Sequence, residues 1–388
     1  MLTPSVTPIA APVVPAAGEI ARRIDVPVRL PHNIHGDPIR NLSHSSVMRF
    51  MTCPEDWRRH YILRERGAPT GAMFLGNRVD DAITLYYQRQ LTGETLDQGQ
   101  LLDAFHANWT TQLDAQEHGV QWDTDLSAAR AFAIGAEAVR QSYTELIPRI
   151  GRAVGAQRRF ELRLTPQVEW TIVGYVDLDT IREQTAWVFA SPDDPGEIVV
   201  QDTGQQIPEI EVPAYWVPAH LRPKPKRGKP PEETLPCPVT VFTDRRETRQ
   251  ISGIVDYKVK TQTTSAHKAD RDLQATLYLA DRWLNGTPVG DFRFAQVAKP
   301  GTRRQRMTTA LIPTTRTPPQ MRSVFMRIAM IASQINAAHA HFGPDRPWGF
   351  AEPGHWKCEP DHHHASDGIP VRGRFCVHWP SCPMGRGL

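Results

Sequence analysis

The chain has 388 residues, 40% of them hydrophobic and 22% charged, with a formal net charge of +3. That composition excludes a chain too polar to build a core, and the length suits two average domains or one elaborated one. Five cysteines in this length exclude a disulfide-built secreted scaffold. No charged segment followed by an apolar one opens the chain, and no run of about 18 apolar residues occurs, so the expected location is cytoplasmic and off the membrane. A near-neutral charge neither demands nor excludes nucleic acid, which leaves that question to local clusters.

Residues 1 to about 40 are rich in Ala, Pro and Val without a sustained period and read as a disordered arm. Order is expected from Leu42-Ser43-His44-Ser45-Ser46, where Ser43 or Ser45 caps a helix carrying Val47, Phe50 and Met51. Cys53-Pro54 interrupts it. Trp57, Tyr61 and Ile62 then form a second apolar stripe among Arg58, Arg59, Arg64 and Arg66. Periodicity predicts helices over 72–91, 98–117 and 125–149. From Phe160 the period falls to two, which predicts strands at 158–164, 168–179 and 185–190 in an antiparallel meander.

A proline-rich stretch, about 191–238, contains Arg222-Pro-Lys-Pro-Lys-Arg-Gly-Lys229 and reads as an irregular surface insertion. Strands are expected again at 239–244 and 251–259, then a helix at 268–285 and strands at 291–298 and 306–313. A helix over 318–342 places Val324, Phe325, Ile328, Ile331 and Ile335 at helical spacing. The last 45 or so residues read as loop, and no internal repeat occurs. The expected organisation is one domain over 41–388, with a helical part (41–157), a core (158–342) and a cysteine-rich end (343–388).

Two segments share a pattern: Gly174-Tyr175-Val176-Asp177 and Gly253-Ile254-Val255-Asp256. Each reads as a strand delivering an aspartate at its polar end, and Lys258 lies on the same strand face as Asp256. Two carboxylates suit a hard cation such as Mg²⁺ or Mn²⁺, with the Tyr257 peptide carbonyl as a further ligand. Such a cation polarises a scissile phosphate and lowers the pKa of a bound water. Lys258 would orient the attacking water or offset charge growing on the phosphate. Asp-x-Lys alone also fits ordinary strand ends; the matching Gly-x-x-Asp flanks single it out. Gln274 and Tyr278, one turn apart, share a helix face. Glu161, on the preceding strand, reads as solvated.

Cys53 stands far upstream of Cys358, Cys376 and Cys382. Four thiolates suit zinc or an iron–sulfur cluster, and free thiols are the plain alternative. His362, His363 and His364 read as a loop, with zinc binding as the alternative, and Cys237 as a bystander. The arginines at 58–66, the stretch 222–229 and Arg303-Arg304-Gln305-Arg306 can neutralise phosphates or simply be solvated. Trp57, Tyr61 and Trp283 read as core rather than base-stacking residues. No phosphate-cradling Gly-x-x-x-x-Gly-Lys-Ser/Thr loop occurs, so the chain is not a helicase on its own.

In this order the motifs resemble the RecB-type branch of the PD-(D/E)XK nuclease superfamily, and within it the iron–sulfur exonucleases related to the CRISPR-associated RecB-like nuclease and their phage counterparts. The resemblance runs from Ser43 to Cys382. Leu42–Ser46 and Cys53-Pro54 resemble the family's opening, Gly76-Asn77-Arg78-Val79-Asp80 its Gly-x-x-x-His motif, Gly174–Asp177 its first acidic motif, Asp256-Tyr257-Lys258 its Asp-x-Lys, and Gln274–Tyr278 its Gln-x-x-x-Tyr.

The resemblance implies an α/β (α+β) restriction-endonuclease-like core, with a central mixed sheet flanked by helices, an N-terminal helical region and a C-terminal cysteine cluster. It implies metal binding by Asp177 and Asp256, assistance by Lys258, positioning by Gln274 and Tyr278, and a [4Fe–4S] cluster on Cys53, Cys358, Cys376 and Cys382 that staples the two ends of the domain. It further implies an exonuclease acting on single-stranded DNA or DNA ends, in phage or bacterial recombination or repair, with a helicase or recombination partner. The departures are Asp80 in place of the family's histidine, with Asp81 beside it as a rival ligand, a long insertion between the acidic motifs, and a wide Cys358–Cys376 gap. A DNA-binding module that has lost catalysis and a sequence-specific endonuclease are the alternatives.

Overall fold

A computed structural model of the chain describes residues 30–116, 119–123, 126–165, 168–191, 197–201, 207–223, 233–287, 289, 291–300, 306–351, 358, 365–366, 369–370, 376, 378 and 381–382. Residues 1–29, most of the 222–229 stretch, residues 303–305 and the histidines at 362–364 lie outside them; the end of the arm expected over 1–40 is instead folded, with Leu30 buried and His32 bridged to Pro38. The described chain forms two compact units, one of residues 30–180 and 253–382 and one of residues 181–252.

The larger unit opens with strand β1 (Asn41–Leu42) and helix α1 (His44–Thr52). Ser43 is its cap, accepting the Ser46 N–H. Cys53 ends α1 and also caps α2 (Pro54–Trp57), its Sγ accepting the Asp56 N–H, so the expected interruption is a change of helix direction. A π-turn (Arg58–Ile62) follows. Then come α3 (Gly71–Leu91), α4 (Gln98–Asp114) and α5 (Ala128–Gln141). The helix expected over 125–149 does not run through: it becomes a π-turn at Ser142–Leu146 and a short α6 (Ile147–Ile150), with Pro148 in its first turn.

The chain then enters the sheet with β2 (Arg152–Thr165) and β3 (Val168–Ala190). The two strands expected at 168–179 and 185–190 are one, with Thr180 fully buried where the break was expected to begin.

After residues 181–252 the larger unit resumes on β7 (Thr243–Lys260). It continues with α7 (Ala266–Ala269), α8 (Leu273–Leu284), β8 (Asp291–Ala298), β9 (Thr308–Thr314) and α9 (Pro318–Phe342). The helix expected at 268–285 is broken before Asp272, whose carboxylate caps α8. The sheet order is β1-β3-β7-β8-β9, with β2 also on β3. Pairing is parallel for β1–β3 (Leu42↔Ile172) and β7–β8 (Asp256↔Phe294), and antiparallel for β8–β9 (Phe294↔Ile312).

Alternation along β7 sends Ile254 into a core shared with α1, α8 and α9, and Val255 and Tyr257 into a core shared with α3, α4 and α5. The result is the expected mixed α/β fold, a central mixed sheet flanked by helices. No helix among the described residues is long and apolar enough to cross a membrane.

The stretch read as an irregular insertion is in part a small β unit. The far half of β3 pairs with β4 (Glu197–Gln201), and β5 (Glu209–Pro213) pairs with β6 (Thr234–Pro238). The expected strand at 239–244 is instead a 3₁₀ turn, Val239–Val241, before β7 begins. Prolines hid the pattern, but Ile210, Val212, Leu235 and Cys237 alternate inward and pack on Trp216 and Phe242. Cys237 is fully buried in this unit, as a bystander would be.

Candidate active site

Three elements deliver the acidic residues: β3 carries Asp177, β7 carries Asp256 and α3 carries Asp80. Asp177 Oδ2 accepts the Tyr257 N–H at 3.1 Å, which ties the end of one strand's motif to the backbone of the other. The Lys258 ammonium stands 3.0 Å from Asp256 Oδ1 and 3.8 Å from Asp177 Oδ2. Gln274 Nε2 donates to the same Asp256 oxygen at 2.8 Å and to the Tyr278 hydroxyl at 2.7 Å. The long insertion therefore does not keep the two carboxylates apart.

Asp256 has no solvent exposure, and its Oδ2 has no hydrogen-bond partner. Burial, with the Asp177 charge added, pushes its carboxyl well above the ordinary range, while Lys258 opposes the shift. Burial alone would lower the Lys258 ammonium, but Asp256 and Asp177 outweigh it and raise it. Tyr278 is raised by burial and by both carboxylates. Its ring packs edge-on against Phe160 and also contacts Phe292, so it is a core aromatic that keeps a polar tip at the site. The Tyr257 side chain turns the other way, its hydroxyl meeting Ser142.

Of the neighbouring Asp80 and Asp81, Asp80 is the one on which the charges of Asp177 and Lys258 act. Burial and the Asp177 charge push its carboxyl up to about 7, with Lys258 acting against them. Asp81 instead pairs with Arg78 at 3.0 Å. Glu161 is exposed and paired with Arg159, as a solvated residue would be.

Among the described residues no three His, Cys, Asp or Glu side chains stand together as a ready metal-binding group. The donor set nevertheless suits a hard cation: all-oxygen, drawn from three carboxylates, with one buried carboxylate oxygen unsatisfied. The raised Asp80 group carries a linkage consequence. The fold holds a proton on it that the unfolded chain releases near 3.8, so its contribution to stability is full below that value and is lost as pH rises through about 7. Asp80→Asn is therefore expected to flatten the decline in thermal stability between about pH 4 and pH 7, measured in chelator; a parallel decline in both proteins would contradict this.

The cysteines also gather. Cys53, Cys358, Cys376 and Cys382 all border one cavity of about 640 Å³, and all four are free thiols. Burial pushes the Cys376 thiol up to about 11, with Asp56, Cys358 and Cys382 adding to the shift. The late segment is tied to α2 and to the π-turn after it independently of the thiols: Glu55 accepts the Trp348 N–H at 2.8 Å, and Arg59 donates to Ser381 Oγ at 2.6 Å.

Of the four arginines at 58–66, two are taken up by pairing within the fold, while Arg64 and Arg66 are exposed. Arg58 is buried against Glu55 at 2.7 Å, and Arg59 pairs with the same carboxylate at 2.9 Å. Trp57 and Trp283 are buried core residues, Trp57 stacked on Trp348. Sequence reasoning passed over three further groups near the carboxylates. Burial lowers His44, Asp272 opposes that shift and Lys258 adds to it, and Lys260 follows Lys258 by two residues. A signal for Lys260 was present in the continued period of two.

Comparison with known proteins finds similarity over part of the chain. No curated protein matches it. A crystal structure of a protein from Eubacterium rectale, described provisionally as an exonuclease, aligns with 77% of this chain and 82% of its own at 13% identity, with a TM-score of 0.39. That likeness is too loose to carry an argument about activity. Residues 41–189, the segment holding Cys53, Asp80 and Asp177, match the sequence model of the PD-(D/E)XK nuclease superfamily.

Proposed function

We propose that this protein is a metal-dependent deoxyribonuclease that hydrolyses phosphodiester bonds in single-stranded DNA or at DNA ends. The observation that carries the reading is the meeting of Asp177, Asp256 and Lys258, with the other Asp256 oxygen buried and unsatisfied. Asp177 and Asp256, with Asp80 and the Tyr257 carbonyl, would hold Mg²⁺ or Mn²⁺, which when bound supplies Lewis-acid polarisation of the phosphate.

In the reaction a water oxygen bonds to phosphorus and releases one proton to solvent, the P–O bond to the leaving sugar oxygen breaks, and that oxygen takes a proton from solvent. Lys258, an ammonium beside two carboxylates in the metal-free site, would hold the attacking water or offset negative charge on the phosphate. Gln274 fixes the Asp256 carboxylate and the Tyr278 hydroxyl together and so sets the orientation of both. Asp80 stands where the family has histidine and completes an all-oxygen site, which favours Mg²⁺ or Mn²⁺ over softer ions.

The four cysteines bordering one cavity support a thiolate-bound group, [4Fe–4S] or, alternatively, zinc, joining α2 to the late segment. Anaerobic purification should give protein with about four irons and four sulfides per chain, and Cys376→Ala should lose them with a lower melting temperature. One zinc and no iron would select the alternative. A place in recombination or repair, alongside a helicase that unwinds the duplex, fits a nuclease with no ATP-binding loop of its own.

The activity is tested with end-labelled linear and closed circular single strands in Mn²⁺. Progressive shortening of the linear strand alone supports an exonuclease. Discrete fragments from the circle would make the protein an endonuclease, and binding without product would make it a DNA-binding module.

A further inference from the structure

Asp256, Lys258 and Lys260 occupy successive positions on one face of β7, because side chains alternate along a strand. The first two belong to the site described above; Lys260 has no part in it so far. It is half-buried, and its environment is built rather than incidental. Its Nζ donates to Thr264 Oγ1 at 2.9 Å. Thr264 is pinned in turn by Gln296, which is fully buried: the Thr264 N–H donates to Gln296 Oε1 at 2.7 Å, and Gln296 Nε2 donates to Thr264 Oγ1 at 2.8 Å. The Phe294 ring lies 5.8 Å from the ammonium.

A counter-charge is missing from this arrangement. Among the described residues no carboxylate lies within ion-pair distance of Lys260. Asp272 is the acidic group that acts on it most strongly, but its carboxylate caps α8 by accepting the Ala275 N–H at 3.0 Å. Asp256 also acts on it, and already pairs with Lys258. Burial and the like charges of Lys268 and Lys258 push the Lys260 ammonium below its ordinary value. A half-buried ammonium held rigidly among other lysines is costly unless an anion meets it. Two residues along a strand span roughly 6.6 Å, a distance on the scale of the separation between successive phosphates of a nucleic-acid strand.

We propose that Lys260 binds the phosphate next to the scissile one, so that the substrate must extend at least one nucleotide past the cut on that side. This rests on the nuclease reading of the site. The rival account is a lysine whose stem merely covers Phe294 while its head is solvated.

The test is binding of a fluorescent single-stranded oligonucleotide in chelator, where nothing is cut, over a salt series. Lys260→Gln is expected to reduce the slope of log affinity against log salt by about 0.7, the share of one phosphate on a single strand. Lys260→Arg, which keeps the charge, should retain the parent slope. A neutral methylphosphonate next to the cut site should weaken binding by the parent but not by Lys260→Gln. An unchanged slope in Lys260→Gln, or equal sensitivity of both proteins to the methylphosphonate, overturns the proposal. Failure of the nuclease reading shows separately, as an intact slope difference with no cleavage by the parent chain in Mn²⁺.

Discussion

Asp256→Asn is expected to lower Mn²⁺-dependent DNA cleavage by about a thousandfold or more while leaving the metal-free fold at least as stable as the parent's. Both halves follow from the same carboxylate. It has no solvent exposure, one oxygen without a partner, and a charge that burial disfavours. Asparagine keeps an oxygen for the Gln274 amide and the Lys258 ammonium, removes the buried charge, and cannot serve as an anionic metal ligand. A site that costs stability in the absence of metal is the pattern expected of functional rather than structural polar residues. Product formation in Mn²⁺ and thermal unfolding in chelator measure the two effects. Undiminished cleavage would contradict the assignment, and so would activity lost only because the variant unfolds.

Arg158→Met is expected to destabilise the larger unit by about 2–4 kcal/mol, read from urea unfolding. Arg158 on β2 donates at 2.7 Å to Asp179 on β3 and at 2.8 Å to Asp281 on α8, so one guanidinium joins three elements. Both carboxylates are almost fully buried, and removing their shared partner leaves charge with little recourse to water. The figure sits below the upper end for buried pairs because Arg158 itself is 31% exposed and because Asp179 keeps Arg282 at 3.1 Å. Gly155 leaves room for the Asp179 carboxylate: a Cβ there would sit 3.3 Å from it. The same clamp holds the helix carrying Gln274 and Tyr278, so cleavage should fall as well. Unfolding indistinguishable from the parent's would show that the network is screened rather than structural.

Much of the site was legible before the fold was known, and the reasons are local. Asp177, Asp256, Lys258, Gln274 and Tyr278 each lie in a short segment whose period assigns an element and a face. Topology then had only to bring β3 beside β7. The helix Pro318–Phe342 and the strand Asp291–Ala298 were readable because a long apolar stripe and an unbroken apolar run leave little room for another assignment. What could not be read was long-range. The partners of Arg158 lie 21 and 123 residues away, and no pattern in either segment announces them. Arg58 and Arg59 look like a solvated basic patch in sequence, and only the fold shows Glu55 pairing with both. The strands of the 181–252 unit were masked by prolines at their ends, which local rules read as loop.

The most direct measurement is the rate at which the parent chain, Asp177→Asn, Asp256→Asn and the double variant degrade end-labelled single-stranded DNA in Mn²⁺, with a chelator control. If the two carboxylates form one metal-dependent site, the parent cuts only with metal, and each single variant loses nearly as much as the double. Cleavage by the parent that survives chelator, or losses from the two single variants that simply add in the double, would contradict a shared site on β3 and β7.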